Sequence, residues 1–182
     1  RDWSSDVCSS DLELTSAIAN GGTRYKPIIL ESITTADGRN VYQSKPEVIG
    51  KVPLSAPSLE LVRKGLWEVV NGEKGTARGS RLADIEISGK TGTSQVISRK
   101  KDDTRSEEER PAHLRPHAWF IAYAPSAAPE IAVAVLVEHG EHGSSAAAPI
   151  ATELIKTFLR AGRSVGQAAK DQNRVAEEGE RG

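Results

Sequence analysis

Two apolar runs late in the chain, Trp119 to Ala124 and Ile131 to Glu138, constrain the fold most. Both have the length and the β-branched or aromatic content of strands. The link between them crosses Pro125 to Pro129. So short a link suits an antiparallel pair, because a parallel return needs a crossover of a dozen residues or more. A third strand is expected over Ile85 to Val96, interrupted by Gly89 and Gly92. Between it and Trp119 lies Arg99 to Arg115, dense in charges of both signs and read as a mobile surface loop.

Helical signals frame these strands. Leu12 to Gly22 reads as a short apolar helix stopped by Asn20-Gly21-Gly22. Tyr25 to Thr34 is an expected strand, with a turn at Asp37-Gly38 and a short return at Asn40 to Tyr42, completing a hairpin. Pro46 to Pro57 is expected to be irregular. Ser58 is the expected N-cap of a helix whose apolar residues, Leu59, Val62, Leu66, Val69 and Val70, recur at helical spacing up to Asn71-Gly72. A Gly-punctuated loop follows, Gly72 to Gly79. Pro149 opens a last helix with Ile150, Leu154, Ile155, Phe158 and Leu159 on one face, ending near Gly162. The expected fold class is α+β, an antiparallel sheet flanked by helices.

Three spans are expected. Residues 1–11 repeat Ser-Ser-Asp, show neither helical nor strand periodicity, and read as a leader foreign to the domain. Residues 12–162 form the domain, and residues 163–182 read as a polar, disordered tail.

Composition removes several function classes. A formal net charge of −1 over 182 residues gives no electrostatic reason for a nucleic-acid partner. The longest strongly apolar run, Ile131 to Val137, is too short to span a bilayer. A single cysteine, Cys8, permits no internal disulfide. His113, His117, His139 and His142 lack the spacing of a metal set, and His139 and His142 are read in a solvated turn. No cofactor is expected. Trp67 and Trp119 read as packing residues, and Glu138 as a solvated carboxylate at a strand end.

One segment carries chemistry: Ser88-Gly89-Lys90-Thr91-Gly92-Thr93. Gly-Lys-Thr invites a phosphate-binding loop, but that loop needs a glycine five residues earlier, and the position holds Asp84. The alternative is a strand edge bearing a cation and two hydroxyls beside glycines. Gly92 would admit a substrate backbone, Lys90 supplies positive charge, and Thr91 and Thr93 supply hydroxyls for a carboxylate. Two-residue alternation sends Lys90 and Thr91 to opposite faces, so both reach one ligand only at an edge or a local distortion.

Lys-Thr-Gly is a signature of penicillin-binding proteins and serine β-lactamases. Here it follows Val70-Asn71-Gly72-Glu73-Lys74-Gly75-Thr76-Ala77, and it precedes Ala118-Trp119-Phe120-Ile121-Ala122-Tyr123-Ala124-Pro125, Ile131 to Glu138 with His139-Gly140, and Ala146 to Leu159. With Ile18-Ala19-Asn20-Gly21-Gly22, this order resembles the C-terminal part of a penicillin-binding protein transpeptidase domain, over roughly Leu12 to Leu159. It is most similar to the class B, penicillin-binding protein 2-like enzymes.

The resemblance implies a partial serine β-lactamase/D,D-transpeptidase-like fold and a peptidoglycan D,D-transpeptidase acting through an acyl-serine intermediate. It implies catalytic roles for Lys90 and Thr93, and substrate binding by Lys90, Thr91, Gly92 and Thr93. The implied partners are a stem peptide ending in D-Ala-D-Ala, β-lactam antibiotics and cell-wall elongation proteins. The implied location is the bacterial inner membrane, with the catalytic domain in the periplasm and roles in cell shape and division. A β-lactam sensor domain and a serine β-lactamase share the motif and are the alternatives. The family's Ser-x-x-Lys nucleophile should precede all this. The sole match, Ser98-Arg99-Lys100-Lys101, follows Lys-Thr-Gly and is read as coincidence, and no Ser-x-Asn occurs. The chain is therefore expected to be a fragment that lacks its nucleophile and is inactive alone, with strand faces left exposed.

Overall fold

The computed structural model describes residues 4–96 and 111–162, with side chains from residue 9 onward. Most of the expected charged loop, the Ser98 to Lys101 match and the expected tail lie outside the described residues.

Helix α1 (Ser4–Ala19) begins well inside the span expected to lack regular structure. Its anchored end explains this: Thr15 is buried and donates its hydroxyl to the Asp11 carbonyl at 2.6 Å, and Ile18 and Ala19 are buried beside it. Extending a docked helix toward its N-terminus adds a backbone bond per residue without a new nucleation cost, so polar residues join it without a stripe of their own. The Asn-Gly-Gly stop works as expected. The Gly22 N–H donates to the Ala17 carbonyl at 2.6 Å, with Gly21 at φ +85, the pattern of a Schellman end.

The expected strand over Tyr25 to Thr34 is two strands. β1 (Thr23–Tyr25) pairs antiparallel with β4 (Val48–Lys51), while β2 (Ser32–Thr34) pairs antiparallel with β3 (Asn40–Gln43). Pro27 separates them because it offers no N–H to a ladder, and Lys26 makes the last bond, to the Glu47 carbonyl at 2.9 Å. β4 lies in the stretch expected to be irregular. The Asp37-Gly38 turn closes β2 onto β3, with Gly38 at φ +84.

Helix α2 (Ala56–Asn71) starts one turn before its expected cap. Ser55 is the N-cap, and its hydroxyl accepts from the Ser58 N–H at 3.3 Å. Pro57 does not delay the start, because a proline in the first helical turn loses no intrahelical bond.

The main sheet has the order β5-β6-β7, from β5 (Ser88–Ser94), β6 (His117–Ala124) and β7 (Ile131–Val137), all antiparallel. Among the described residues β5 is an edge. One face, carrying Ala118, Phe120, Ala122, Ala124 and Val133, packs on the last helix, α3 (residues 148–162), which a π-turn over Gly143–Ala147 leads into. The opposite face brings Tyr123 against Ile18 and Ala19 of α1 and Leu59 of α2.

The expected apolar face of α3 is corrected. Ile155 and Leu159 are buried, but Ile150, Leu154 and Phe158 are about half exposed, and Ala148 and Ala151 take the buried places. Against a sheet face rich in alanine, small residues allow the helix to sit close, so the seam follows 148, 151, 155 and 159 rather than the bulkiest side chains. Burying Ile155 and Leu159 stabilises this layer by about 1.5–3 kcal/mol each.

Candidate active site

β5 is anchored before the motif begins. Ile85 and Ile87 are core residues, and Asn71 at the end of α2 donates its side-chain amide to the Ile87 carbonyl at 2.8 Å. The buried Ser88 hydroxyl donates to Ser126 Oγ at 2.9 Å, and the Ser126 N–H donates to the Glu86 carbonyl at 2.9 Å. These bonds tie the start of β5 to α2 on one side and to the β6–β7 connection on the other.

From there β5 runs in unbroken register with β6, from Ser88 opposite Tyr123 to Ser94 opposite His117. The alternation is therefore regular: Lys90 and Gly92 share one face, and Thr91 and Thr93 the other. The local distortion considered from the sequence is absent, and the edge position is present. The exposed Lys90 folds along its own strand, its ammonium donating to the Thr91 carbonyl at 2.6 Å. The charge thus sits at the backbone of the neighbouring residue. Thr91 is half-buried, and its hydroxyl lies 3.0 Å from the hydroxyl of Thr76. Thr93 is exposed, opposite Ala118.

Gly92 is closed in on both faces. A Cβ there would come within 3.0 Å of the Trp119 Cβ, and a Cβ on Gly143 would meet the Gly92 carbonyl at 2.8 Å and the Trp119 carbonyl oxygen. The Gly92 backbone is therefore open to approach along the strand's outer edge rather than across a sheet face. Trp119 is buried, and its indole N–H has no acceptor among the described residues.

The far end of this surface is braced. The His139 N–H donates to His117 Nδ1 at 2.9 Å, the two rings lie 4.8 Å apart, and Arg115 pairs with Glu141 at 2.8 Å. His139 and Glu141 both have positive φ. His139 is held half-buried in this network, unlike the solvated turn expected, whereas His142 is exposed. Sequence reasoning missed Thr76, Asn71 and Gly143 as partners of the motif. Their distance along the chain leaves no spacing signal; only the glycines flanking Thr76 hinted at a tight loop.

Solved structures superpose on this fold. Penicillin-binding protein A from M. tuberculosis, as its ceftriaxone acyl-enzyme complex, superposes with a TM-score of 0.62 at 31% identity, over 80% of this chain and 30% of that one. The complex between penicillin-binding protein 2 and MreC from Helicobacter pylori gives 0.60 at 29% identity, over 84% and 24%. The fold is that of a D,D-transpeptidase domain, helices on an antiparallel sheet. A model of the penicillin binding protein transpeptidase domain matches residues 11–156, and the chain belongs to that family. Among curated relatives, the peptidoglycan D,D-transpeptidase MrdA of Haemophilus influenzae is 31% identical over 149 residues, 80% of this chain and 22% of its own length. The peptidoglycan D,D-transpeptidase PbpA of Mycobacterium tuberculosis is 31% identical over 156 residues, 83% of this chain and 29% of its own length. The chain therefore spans less than a third of the length of these curated relatives. They fall in the class B, penicillin-binding protein 2-like group that the sequence resembles.

Proposed function

We propose that this chain is the C-terminal part of an elongation-type peptidoglycan D,D-transpeptidase, supplying one wall of the active site while the nucleophilic serine lies outside it. The observation that carries the reading is the Lys90 to Thr93 segment on a strand that is an edge among the described residues, within a chain that the family matches over residues 11–156. A ligand chain laid along that edge meets the Lys90 ammonium, the Thr91 and Thr93 hydroxyls and the outward backbone of Gly92.

In the proposed reaction the serine hydroxyl attacks the penultimate D-alanine carbonyl of a stem peptide. The bond to the terminal D-alanine breaks, D-alanine leaves as the amine, and an acyl-serine ester remains. An amine of a neighbouring stem then attacks the ester and returns the proton and the free serine. Lys90 contributes positive potential and a hydrogen-bonded proton path. Thr91 and Thr93 hold the terminal carboxylate, and the Thr93 N–H joins the serine N–H in stabilising the oxyanion, a donor worth about 2.7–4 kcal/mol in the transition state. β-Lactams enter as mimics of D-Ala-D-Ala and stop at the acyl-serine.

The same reading places the intact protein at the bacterial inner membrane, with this domain in the periplasm and a cell-wall elongation protein as partner. The relative from Helicobacter pylori in complex with MreC supports that kind of partner. The family match covers residues 11–156, and a leader foreign to the domain over residues 1–11 remains part of this proposal.

Mass spectrometry after exposure to a β-lactam tests the proposal. The intact protein carrying this segment is expected to gain one covalent adduct on a serine outside it, and the 182-residue chain alone none. A stoichiometric adduct on the 182-residue chain overturns it.

A further inference from the structure

We propose that Thr76 is a positioning residue for the substrate carboxylate, acting through Thr91; the inference rests on the carboxylate-holding role of Thr91 proposed above. The two hydroxyl oxygens lie 3.0 Å apart, one on the loop after α2 and the other on β5.

The loop holds Thr76 from both sides. The Gly72 N–H donates to the Glu68 carbonyl at 3.0 Å, the Gly75 N–H to the Gly72 carbonyl at 3.1 Å, and the Ala77 N–H to the Val69 carbonyl at 2.9 Å. Gly75 lies flat on the last turn of α2, where a Cβ would meet the Glu68 carbonyl oxygen at 2.6 Å. Ala77 is buried in the core with Val70, Ile85 and Ile87. These two fixed neighbours place the backbone of Thr76, whose side chain is exposed beside β5. Asn71 ties the same helix end to β5 through the Ile87 carbonyl, so the loop and the strand keep a common frame.

Proton counting gives the arrangement a direction. Each threonine hydroxyl has one proton to give and two lone pairs. When Thr76 donates to Thr91, the Thr91 proton is free to point outward, and accepting a bond strengthens Thr91 as a donor. When Thr91 donates to Thr76, Thr91 presents only lone pairs outward, which repel a carboxylate. An anion at Thr91 selects the first state, and Thr76 makes that state available. Its effect belongs to ligand binding and not to bond-breaking.

Rapid-mixing acylation of the intact enzyme by a β-lactam separates the initial dissociation constant from the acylation rate constant. Thr76→Val, which keeps the shape and removes the hydroxyl, is expected to raise the dissociation constant about three- to tenfold, the loss of one hydrogen bond. The acylation rate constant should stay within about twofold, Thr76→Ser should restore binding, and the same β-lactam with its carboxylate esterified should bind both proteins alike. In a Thr91→Val background, Thr76→Val should add nothing. The inference is overturned if Thr76→Val binds the carboxylate form normally, if serine fails to rescue, or if the ester is weakened equally. If Thr91→Val alone leaves binding intact, the assumed role of Thr91 fails and the inference falls with it. If Thr91→Val weakens binding while Thr76→Val does not, the inference alone fails.

Discussion

Gly92 and Trp119 face each other across β5 and β6, and a Cβ on Gly92 would stand 3.0 Å from the Trp119 Cβ. A side chain at the glycine of the motif would press on Trp119, which must then give by a few tenths of an ångström. Gly92→Ala is expected to cost about 1–3 kcal/mol, the usual cost of overpacking. A denaturant midpoint lowered at unchanged slope would check it.

Among the described residues Lys90 donates only to a backbone carbonyl and is exposed, so its removal should scarcely touch the fold. Lys90→Ala in the intact enzyme is expected to shift the thermal midpoint by no more than a degree or two, within the roughly 0.5 kcal/mol range of surface substitutions. It should slow β-lactam acylation by about 10²-fold or more, the scale of a lost proton-transfer group. Wild-type acylation by Lys90→Ala would remove Lys90 from the proposed mechanism.

Asn71 bridges its own helix and β5, with its side-chain amide 3.0 Å from the Trp67 carbonyl and 2.8 Å from the Ile87 carbonyl. Asn71→Ala leaves the Ile87 oxygen without this donor and is expected to cost about 1–3 kcal/mol. Amide hydrogen exchange should rise first along β5, ahead of β7. Uniform exchange across the sheet would argue against a local strap.

Neighbouring residues on α3 should behave oppositely. Ile155→Ala opens a cavity in the layer beneath the sheet and is expected to cost about 2–5 kcal/mol. Leu154→Ala, about half exposed, should cost well under that. Equilibrium unfolding of the two variants gives the contrast, and comparable losses would refute the buried seam described above.

Ile150, Leu154 and Phe158 follow one another at four-residue spacing and present an apolar stripe to solvent on α3. The 182-residue chain is expected to self-associate through surface of this kind, and Leu154→Lys with Phe158→Lys should reduce it. Sedimentation velocity across a concentration series measures both. A wild-type chain that stays monomeric at high concentration would contradict the expectation.

Much of the fold is legible in the order of residues alone. The short link between Trp119 to Ala124 and Ile131 to Glu138 dictated an antiparallel pair, because a chain that short has no other way back. Asn20-Gly21-Gly22 ended its helix where expected, since positive φ is cheap only for glycine. Lys90-Thr91-Gly92 marked the candidate site by residue type alone. The α2 start, the split at Pro27 and the buried side of α3 are not legible in sequence because each depends on a partner: the Ser55 hydroxyl, the β4 strand and an alanine-rich sheet face.

What the amino-acid order determined by itself was local and covalent: turns, strand lengths, and the adjacency of a cation to two hydroxyls. What only the tertiary structure decided was which distant groups meet that segment, namely Thr76 from the α2 loop, Asn71 from the helix end and Gly143 from the π-turn. The physical reason is that backbone torsions obey near neighbours along the chain, whereas hydrogen-bond partners and close packing obey distance in space, which folding alone sets.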